Sequence, residues 1–252
     1  MNYVAKANLP INTKIVLIGS KYSELLEKPL KNMGIYPIFV PDNPFVDKRL
    51  SGHTDLSLFH FGSNEIAAST YLNGSAFAKR LEEDYGFKLI FPCSEQREVY
   101  PFDAGFNLCF FGENLIYNPK TANPGIVECL TSSCELKTIK VKQGYSKCSV
   151  CVVNENAIIS SDVGICSRAV EAGISVLKIR PGYIFLNGFD YGFIGGASFK
   201  MSENSIAFTG HLDNHPDKDS ILNFLCLHNV KPVYITDFPA FDIGSAIQIV
   251  EK

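Results

Sequence analysis

The chain has 252 residues, of which 46% are hydrophobic and 19% charged, with 23 basic against 26 acidic side chains. This length and composition allow a large buried core, and the near balance of charge gives no general reason to bind nucleic acid or acidic lipid. No apolar run approaches the roughly 18 residues of a membrane-spanning helix, and the first residues lack the apolar core of a secretory signal. We therefore expect a cytoplasmic globular protein without a nucleic-acid or membrane partner.

The eight cysteines are expected to be free thiols, because a chain of this size without a secretory signal does not need disulfides. Cys148 and Cys151 have the CxxC spacing, but the residues around them are typical of a strand, on which positions three apart point to opposite faces. No second CxxC and no HxxxH spacing adds further ligands. We predict neither a structural metal nor a redox pair, and we expect no cofactor.

A pattern of strand, helix and strand recurs five times along the chain. First strands are predicted at 15–18, 65–68, 115–117, 157–159 and 205–208, and helices at 22–33, 75–85, 124–130, 164–172 and 217–228. Second strands are predicted at 35–40, 87–91, 136–141, 174–179 and 230–236. Ser161 or Asp162 suits a helix N-cap, and Gly34, Gly86 and Gly173 stand where helices end in a left-handed residue.

A further linking strand is predicted between one unit and the next, and unusual residues precede it. Three copies contain the motif FDxG, at 102–105, 189–192 and 241–244, each followed by an apolar strand. The first unit has GHTD at 52–55 in the same place, and the third has GYSKC at 144–148. His53, Asp103, Tyr145 and Asp242 then align in one position, with Asp190 displaced by an insertion. Asp55, Gly105, Lys147 and Gly244 share the position two residues on.

Closure into a ring would explain why such units recur. A unit of about 50 residues cannot bury both faces of its small sheet alone, whereas five in a ring share a core and leave no free edges. We predict one α/β domain over 1–252, a five-fold pseudosymmetric β/α propeller with repeats at about 8–57, 58–106, 107–147, 148–196 and 197–252. Residues that open the linking strands should then converge near one end of the axis. The predicted cavity is lined by His53, Asp55, Asp103, Lys147, Asp190 and Asp242.

Each of these motifs also has a purely structural interpretation. In FDxG the Asp could bond its own backbone while the Gly adopts a positive φ, although four acids at matched positions favour a cation-binding cavity. A second HxD at His211–Asp213 is interpreted as a polar loop before a helix, with the cavity border as the alternative. The glycine-dense residues 188–196 are interpreted as a bulged linking strand that lets the backbone approach a ligand.

The repeats, the HxD element at His53–Asp55 and the glycine-rich strand openings resemble the pentein β/α propeller. This guanidine-modifying superfamily includes arginine and agmatine deiminases and dimethylarginine dimethylaminohydrolase, and the chain is similar to an uncharacterised bacterial family of that fold. The resemblance implies a Cys near the C-terminus that attacks the guanidinium carbon, a His that handles protons, and carboxylates that hold the cation. This sequence departs from it, because its last linking strand offers Ser245 instead of Cys, and His53 lies in the first repeat instead of the middle.

Two residues could replace the missing thiol. Cys148 occupies the position of Ser245 in the third repeat, and Lys147 and a nearby His could lower its pKa. The second candidate is Ser245 activated by His53.

The sequence therefore supports three functional hypotheses. The first is a small-molecule-binding protein whose acidic pocket takes a cationic guanidino or amino-acid-like ligand, held by Asp103, Lys147, Asp190, Asp242 and Ser245. The second is a C–N hydrolase or amidinotransferase-like enzyme in which His53 is general acid and base, Asp55 orients it or binds substrate, and Cys148 attacks. The third is a non-catalytic scaffold or partner-binding protein, and association into a homo-oligomer is compatible with all three.

Overall fold

Small three-stranded sheets make up a mixed α/β fold. Within residues 1–93, 95–133 and 135–251, which this computed structural model describes, there are five such sheets. In each one the central strand pairs antiparallel with one neighbour and parallel with the other. A helix connects the two parallel strands, as a parallel crossover requires.

The elements are numbered in chain order. The strands are β1 Thr13–Gly19, β2 Tyr36–Val40, β3 Leu58–Gly62, β4 Glu65–Ala68, β5 Lys88–Ile90, β6 Cys109–Phe111, β7 Asn114–Tyr117, β8 Lys137–Lys140, β9 Cys151–Asn154, β10 Ala157–Ser160, β11 Ser175–Lys178, β12 Ser198–Ser202, β13 Ser205–Phe208, β14 Lys231–Tyr234 and β15 Ile247–Glu251. The helices are α1 Ser23–Asn32, α2 Ala76–Glu83, α3 Pro124–Ser133, α4 Ser146–Ser149, α5 Val163–Glu171 and α6 Lys218–Leu227. From first to fifth, the sheets are β15-β1-β2, β3-β4-β5, β6-β7-β8, β9-β10-β11 and β12-β13-β14.

The strands and helices predicted for the five units are present at the predicted places, with ends that differ by a few residues. Local signals fix these ends. Ser75 caps α2 by accepting the N–H of Ala78 at 3.1 Å, and Asp162 caps α5 by accepting the N–H of Ile165 at 2.7 Å. Gly173, with φ of +81°, ends α5 as predicted. The boundaries assigned to the repeats stay a prediction.

The two ends of the chain share one sheet. β15, the last strand, pairs antiparallel with β1, from Thr13 opposite Glu251 to Leu17 opposite Ile247. β1 then pairs parallel with β2 on its other side. The first sheet is therefore completed only when the C-terminal strand is in place.

Five buried hydrophobic clusters each combine residues of two consecutive sheets, and one of them joins the fifth sheet to the first. Representative pairs are Leu17 with Leu58, Phe59 with Phe110, Phe111 with Val152, Val153 with Phe208, and Phe199 with Val16. Since a single three-stranded sheet has too little apolar surface for a core, each sheet depends on both neighbours.

The segment around Cys148 differs from the predicted strand. Residues Ser146–Ser149 form the one-turn helix α4, and the strand begins only at Cys151. The N–H groups of Lys147 and Cys148 bond to the side-chain oxygen of Asn107, which favours the turn. The seven cysteines within the described residues are all free, as predicted, and Cys134 lies outside those residues.

Within the described part of the chain, no helix combines the length and apolar character that would let it cross a bilayer.

The closing strand should contribute strongly to stability. Ile249 in β15 is fully buried, and its replacement by Ala should lower the free energy of unfolding by about 2–5 kcal/mol through lost burial and a residual cavity. Urea unfolding measures the change. Leu227→Ala, at a side chain 80% exposed, is the control and should stay within about 0.5 kcal/mol of wild type. A cost below about 1 kcal/mol for Ile249→Ala would show that the terminal strand is dispensable.

Candidate active site

Backbone hydrogen bonds join the segments that precede the linking strands. We call this set of hydrogen-bonded segments the belt. It connects residues 53–56, 107, 146–148, 196 and 243–245, one stretch before each of β3, β6, β9, β12 and β15. The bonds are Ser146 N to Asn107 O at 3.2 Å, Gly196 N to Cys148 O at 2.8 Å, Ile243 N and Ser245 N to Gly196 O at 3.1 and 3.0 Å, and Asp55 N to Gly244 O at 3.2 Å. The belt brings side chains from distant parts of the chain together.

Cys148 is held from two sides at this belt. Its thiol donates to Asp55 Oδ2 at 2.8 Å, and Asn107 Nδ2 donates to Cys148 Sγ at 3.3 Å. Asn107 Oδ1 accepts the N–H of Lys147 at 2.7 Å and that of Cys148 at 3.1 Å. The sulfur therefore has a fixed position and a defined proton acceptor.

His53 and Asp242 lie next to the thiol. One ligand atom each from His53, Cys148 and Asp242 lie within 4.8 Å of one another, and all three residues are buried. His53 Nε2 has no hydrogen-bond partner. Asp242 Oδ1 accepts the N–H of Gly244, and Oδ2 accepts that of Phe193, both at 2.8 Å. The three groups line the floor of a cavity of about 260 Å³.

Glycines make this arrangement sterically possible. A Cβ at Gly196 would lie 1.9 Å from Asp242 Oδ1, and one at Gly192 would lie 2.5 Å from Asp242 Cβ. Gly244, with φ of +69°, leaves room for His53, whose Cβ would be 2.3 Å from an added methyl. Residues 188–196 do not form the predicted bulged strand, since β12 begins only at Ser198, and the close approach that Gly192 and Gly196 allow is to the Asp242 side chain. The structural interpretation of FDxG also holds at Asp242, which bonds its own backbone before a positive-φ glycine.

Lys147 and Ser245 form a separate pair. Lys147 Nζ donates to Ser245 Oγ at 2.6 Å, and Ser245 Oγ donates to Ser198 O at 3.4 Å. Ser245 is fully buried and is not among the residues that line the cavity over Cys148. Its hydroxyl is thus engaged on both sides, and it is a poorer candidate nucleophile than Cys148.

The remaining predicted acids lie farther from the thiol. Asp103 is 2% exposed and accepts the hydroxyl of Tyr145 at 2.5 Å, so Tyr145, not Asp103, lines the cavity. Asp190 is exposed at the cavity rim. The second HxD, at His211, does not line this cavity, and His211 contacts the exposed Asp213 at 3.9 Å, as expected of a polar loop.

Asn107 was missed by the sequence reasoning, although it holds both the helix turn and the sulfur. It stands two residues after the FDxG motif of its repeat, and the other copies carry no equivalent amide there. The aromatic rim was also missed, even though Phe189 and Tyr191 flank Asp190 within a motif that had been recognised.

Burial dominates the electrostatics. It raises the pKa of the Cys148 thiol well above its usual value, and the negative charges of Asp55 and Asp242 raise it further. Burial raises the pKa of Asp55 to about 7, although the thiol hydrogen bond and the Lys147 charge act in the opposite direction. Burial lowers the pKa of His53. The resting site therefore contains a neutral thiol and a neutral imidazole.

The same three groups could hold a divalent metal. A thiolate, an imidazole nitrogen and a carboxylate are zinc ligands, and the cavity would leave a fourth position open. A search of the sequence for metal-binding spacings such as CxxC or HxxxH could not find this set, because its members come from three different linking segments. A metal-bound sulfur is not free to attack a substrate, so the two uses exclude one another.

Several solved structures are similar to this chain over nearly its whole length. An amidinotransferase of the saxitoxin biosynthetic pathway, SxtG from Microseira wollei, matches with a TM-score of 0.63 at 11% identity, over 99% of this chain and 97% of that one. Agmatine deiminase from C. jejuni matches with a TM-score of 0.57 at 10% identity, over 98% and 96%. DDAH from Pseudomonas aeruginosa, complexed with citrulline, matches with a TM-score of 0.55 at 8% identity, over 90% and 93%. The fold is that of the pentein superfamily.

A family model then assigns the chain more narrowly. Residues 17–247 match the family described as Family of unknown function (DUF6873), and the chain belongs to it. No curated protein sequence matches significantly. At 8–11% identity the solved structures share the fold and nothing more specific.

The raised pKa of Asp55 predicts a pH-dependent stability. Because the folded pKa of about 7 lies above the ordinary 3.8, this group's contribution is fully present below about pH 4 and is lost as the pH rises through about 7. Relative to Asp55→Asn, wild type should therefore lose up to about 4 kcal/mol of unfolding free energy between about pH 4 and 8. Urea unfolding of both proteins across this range tests it, and a constant difference would contradict the assigned burial of the carboxyl group.

Proposed function

We propose that the protein is a cysteine-dependent enzyme that cleaves a C–N bond of a guanidinium or amidinium compound. Cys148 is the nucleophile, His53 transfers protons and Asp242 binds the cation. The observation that carries this proposal is the placement of these three groups within 4.8 Å of one another on the floor of one cavity. This placement favours an enzyme over the hypothesis that the sequence alone favoured, which was a small-molecule-binding protein without turnover.

We also propose that the five sheets are the blades of a closed five-fold pseudosymmetric propeller. Three observations support this arrangement. The sheets have one common strand order, the hydrophobic clusters join each sheet to the next and the fifth to the first, and the belt joins the segments before the linking strands. The belt would then surround the pseudo-fivefold axis, with the cavity at one end of it.

Pseudosymmetry also accounts for the unusual place of the nucleophile in the chain. The superfamily resemblance implies a His in the middle of the chain and a Cys near its end. Here His53 lies before β3 and Cys148 before β9, so two linking segments separate them, as two separate the segment before β9, in the middle of the chain, from the segment before β15, near its end. In a ring of five similar units, two residues at equivalent positions of units two apart have the same relative geometry, whichever unit holds the first of them. The thiol absent from the last linking segment would thus be supplied by Cys148.

Charge couples ligand binding to activation of the thiol. The carboxylates that raise the pKa of Cys148 also attract a cation into the cavity. A guanidinium or amidinium bound against Asp242 offsets that negative charge and places a positive charge beside the sulfur. The thiol pKa then falls, so a thiolate forms when the substrate is present and not in the empty site.

The reaction follows from these positions. The thiol hydrogen turns from Asp55 Oδ2 to the unpartnered Nε2 of His53, which takes the proton. The S–C bond forms as the sulfur adds to the cationic carbon. The C–N bond to the leaving amine then breaks, and His53 returns the proton to that nitrogen, so the covalent adduct keeps the single positive charge. Water attacks the same carbon with His53 as base, which releases a proton, the free thiol and a ureido product from a guanidinium or an amide from an amidinium. An amine in place of water would give amidino transfer.

A cytoplasmic location also remains part of the proposal. It is supported by the free state of the seven described cysteines, three of which are exposed, since exposed thiols persist in reducing compartments.

Alkylation by 2-chloroacetamidine tests the nucleophile. This cationic probe should modify Cys148 first, because the acidic floor of the cavity binds its amidinium and lowers the thiol pKa. Neutral iodoacetamide should instead modify the exposed Cys93, Cys129 and Cys226 first. Peptide mass spectrometry measures both rates at each thiol.

Cys148→Ser should abolish the selective adduct while the exposed thiols still react. The reaction is run with and without a chelator, so that a bound metal is detected as labelling that appears only after chelation. If Cys148 remains unlabelled in both conditions while exposed thiols react, the proposed nucleophile is wrong.

The carboxylate of Asp242 should determine the preference for a cation. Asp242→Asn should lower the rate of Cys148 modification by chloroacetamidine about ten-fold relative to iodoacetamide, because a charge-assisted contact is lost. Asp190→Asn is the matched control at the exposed rim, where solvent and salt screen the charge, and should change the ratio less than about two-fold. Equal effects of the two substitutions would contradict the role of Asp242.

A further inference from the structure

The walls of the cavity over Cys148 differ in character from its floor. The floor is polar, whereas the walls are aliphatic and aromatic, formed by Leu50, Leu56, Leu186, Phe189, Tyr191 and Phe193 together with the ring of Tyr145. The Tyr145 and Phe193 ring centroids are 6.4 Å apart, and those of Tyr191 and Phe193 are 6.2 Å apart. Because the Tyr145 hydroxyl is bonded to Asp103, this residue contributes its ring to the aromatic wall.

The cavity has no basic partner for a carboxylate. Its lining residues, all within the described part of the chain, include neither Lys nor Arg. The Arg49 guanidinium lies 4.2 Å from the Phe189 ring centroid, but it already donates to both oxygens of Asp47 and to Gly188 O. An amino-acid ligand would have to bury its carboxylate without a partner and near Asp190, which is costly.

A second cation on the ligand is disfavoured as well. Asp190, the acid at the rim, is exposed, so solvent and salt screen its attraction for a second cation. Arg49 already covers one face of the Phe189 ring, and the aromatic wall provides no buried acceptor. A volume of about 260 Å³ lies just below the roughly 300–1,000 Å³ of most ligand pockets, so it suits one compact group.

On these grounds, and resting on the proposed function, we infer that the substrate is a guanidinium or amidinium compound whose substituent is uncharged and apolar, such as a single aromatic ring. The cation sits against Asp242 beside Cys148, and the substituent packs between Leu186 and the aromatic wall. Arginine-like and agmatine-like compounds, which carry a charged group at the far end, should bind less tightly, because the lining offers that group no buried partner.

Calorimetry on Cys148→Ser measures the preference without turnover. Benzylguanidine, guanidine, agmatine and L-arginine are titrated, and benzylguanidine should bind at least about ten-fold more tightly than each of the others. The same compounds are tested on wild type for protection of Cys148 against chloroacetamidine. Equal or tighter binding of arginine or agmatine, or no binding of any guanidine, would overturn the inference.

Phe189→Ala supplies the variant test. Removal of this partly exposed ring should weaken benzylguanidine about ten-fold and leave guanidine within about two-fold. Phe185→Ala is the matched control, since Phe185 lies on the same segment, is 62% exposed and does not line this cavity. Equal loss in the two variants would overturn the inference.

The two proposals can fail separately. Selective binding of benzylguanidine by Cys148→Ser, together with an unreactive Cys148 in wild type, would retain the ligand class and reject the enzyme. A reactive Cys148 that arginine protects better than benzylguanidine would retain the enzyme and reject the ligand class.

Discussion

The feature on which the site depends is the direct contact between the backbones of segments far apart in sequence. Gly196 is central to it, because its N–H bonds to Cys148 O and its carbonyl accepts from Ile243 and Ser245. A side chain at this position would collide with Asp242, so the residue must be glycine. Because these backbones are in contact, even short side chains such as Cys148, Asp55 and Asp242 can lie close to one another.

The same closeness creates an electrostatic imbalance that suits a cationic substrate. Two carboxylates and a thiol share a buried region, and the ammonium of the buried Lys147 is directed to Ser245. Desolvation keeps the thiol and the imidazole neutral in the empty site, and in the proposed mechanism a bound cation ends this state. We regard this as a way to limit thiol reactivity to the occupied site, since an unoccupied thiolate would be open to oxidation.

Much of the fold could be predicted from the sequence. Helix caps and glycines mark the ends of the elements, and the strand-helix-strand pattern recurs at similar intervals. Alignment of the repeats also selected His53, Asp55, Cys148 and Asp242, which the structure brings together. The remainder depended on long-range contacts. The helical turn at Ser146–Ser149 is stabilised by the side chain of Asn107, some forty residues away, and Asp103 is engaged by Tyr145 and does not face the cavity. No local pattern carries that information.

The central claim is that a cation in the cavity controls the ionisation of Cys148. The most direct measurement is the ultraviolet absorbance of the thiolate, taken as the difference between wild type and Cys148→Ser across pH, with and without saturating guanidinium. We expect a thiol that stays protonated near neutral pH when the site is empty and that ionises at clearly lower pH when the cation is bound. A titration curve that does not move on addition of the cation would contradict it.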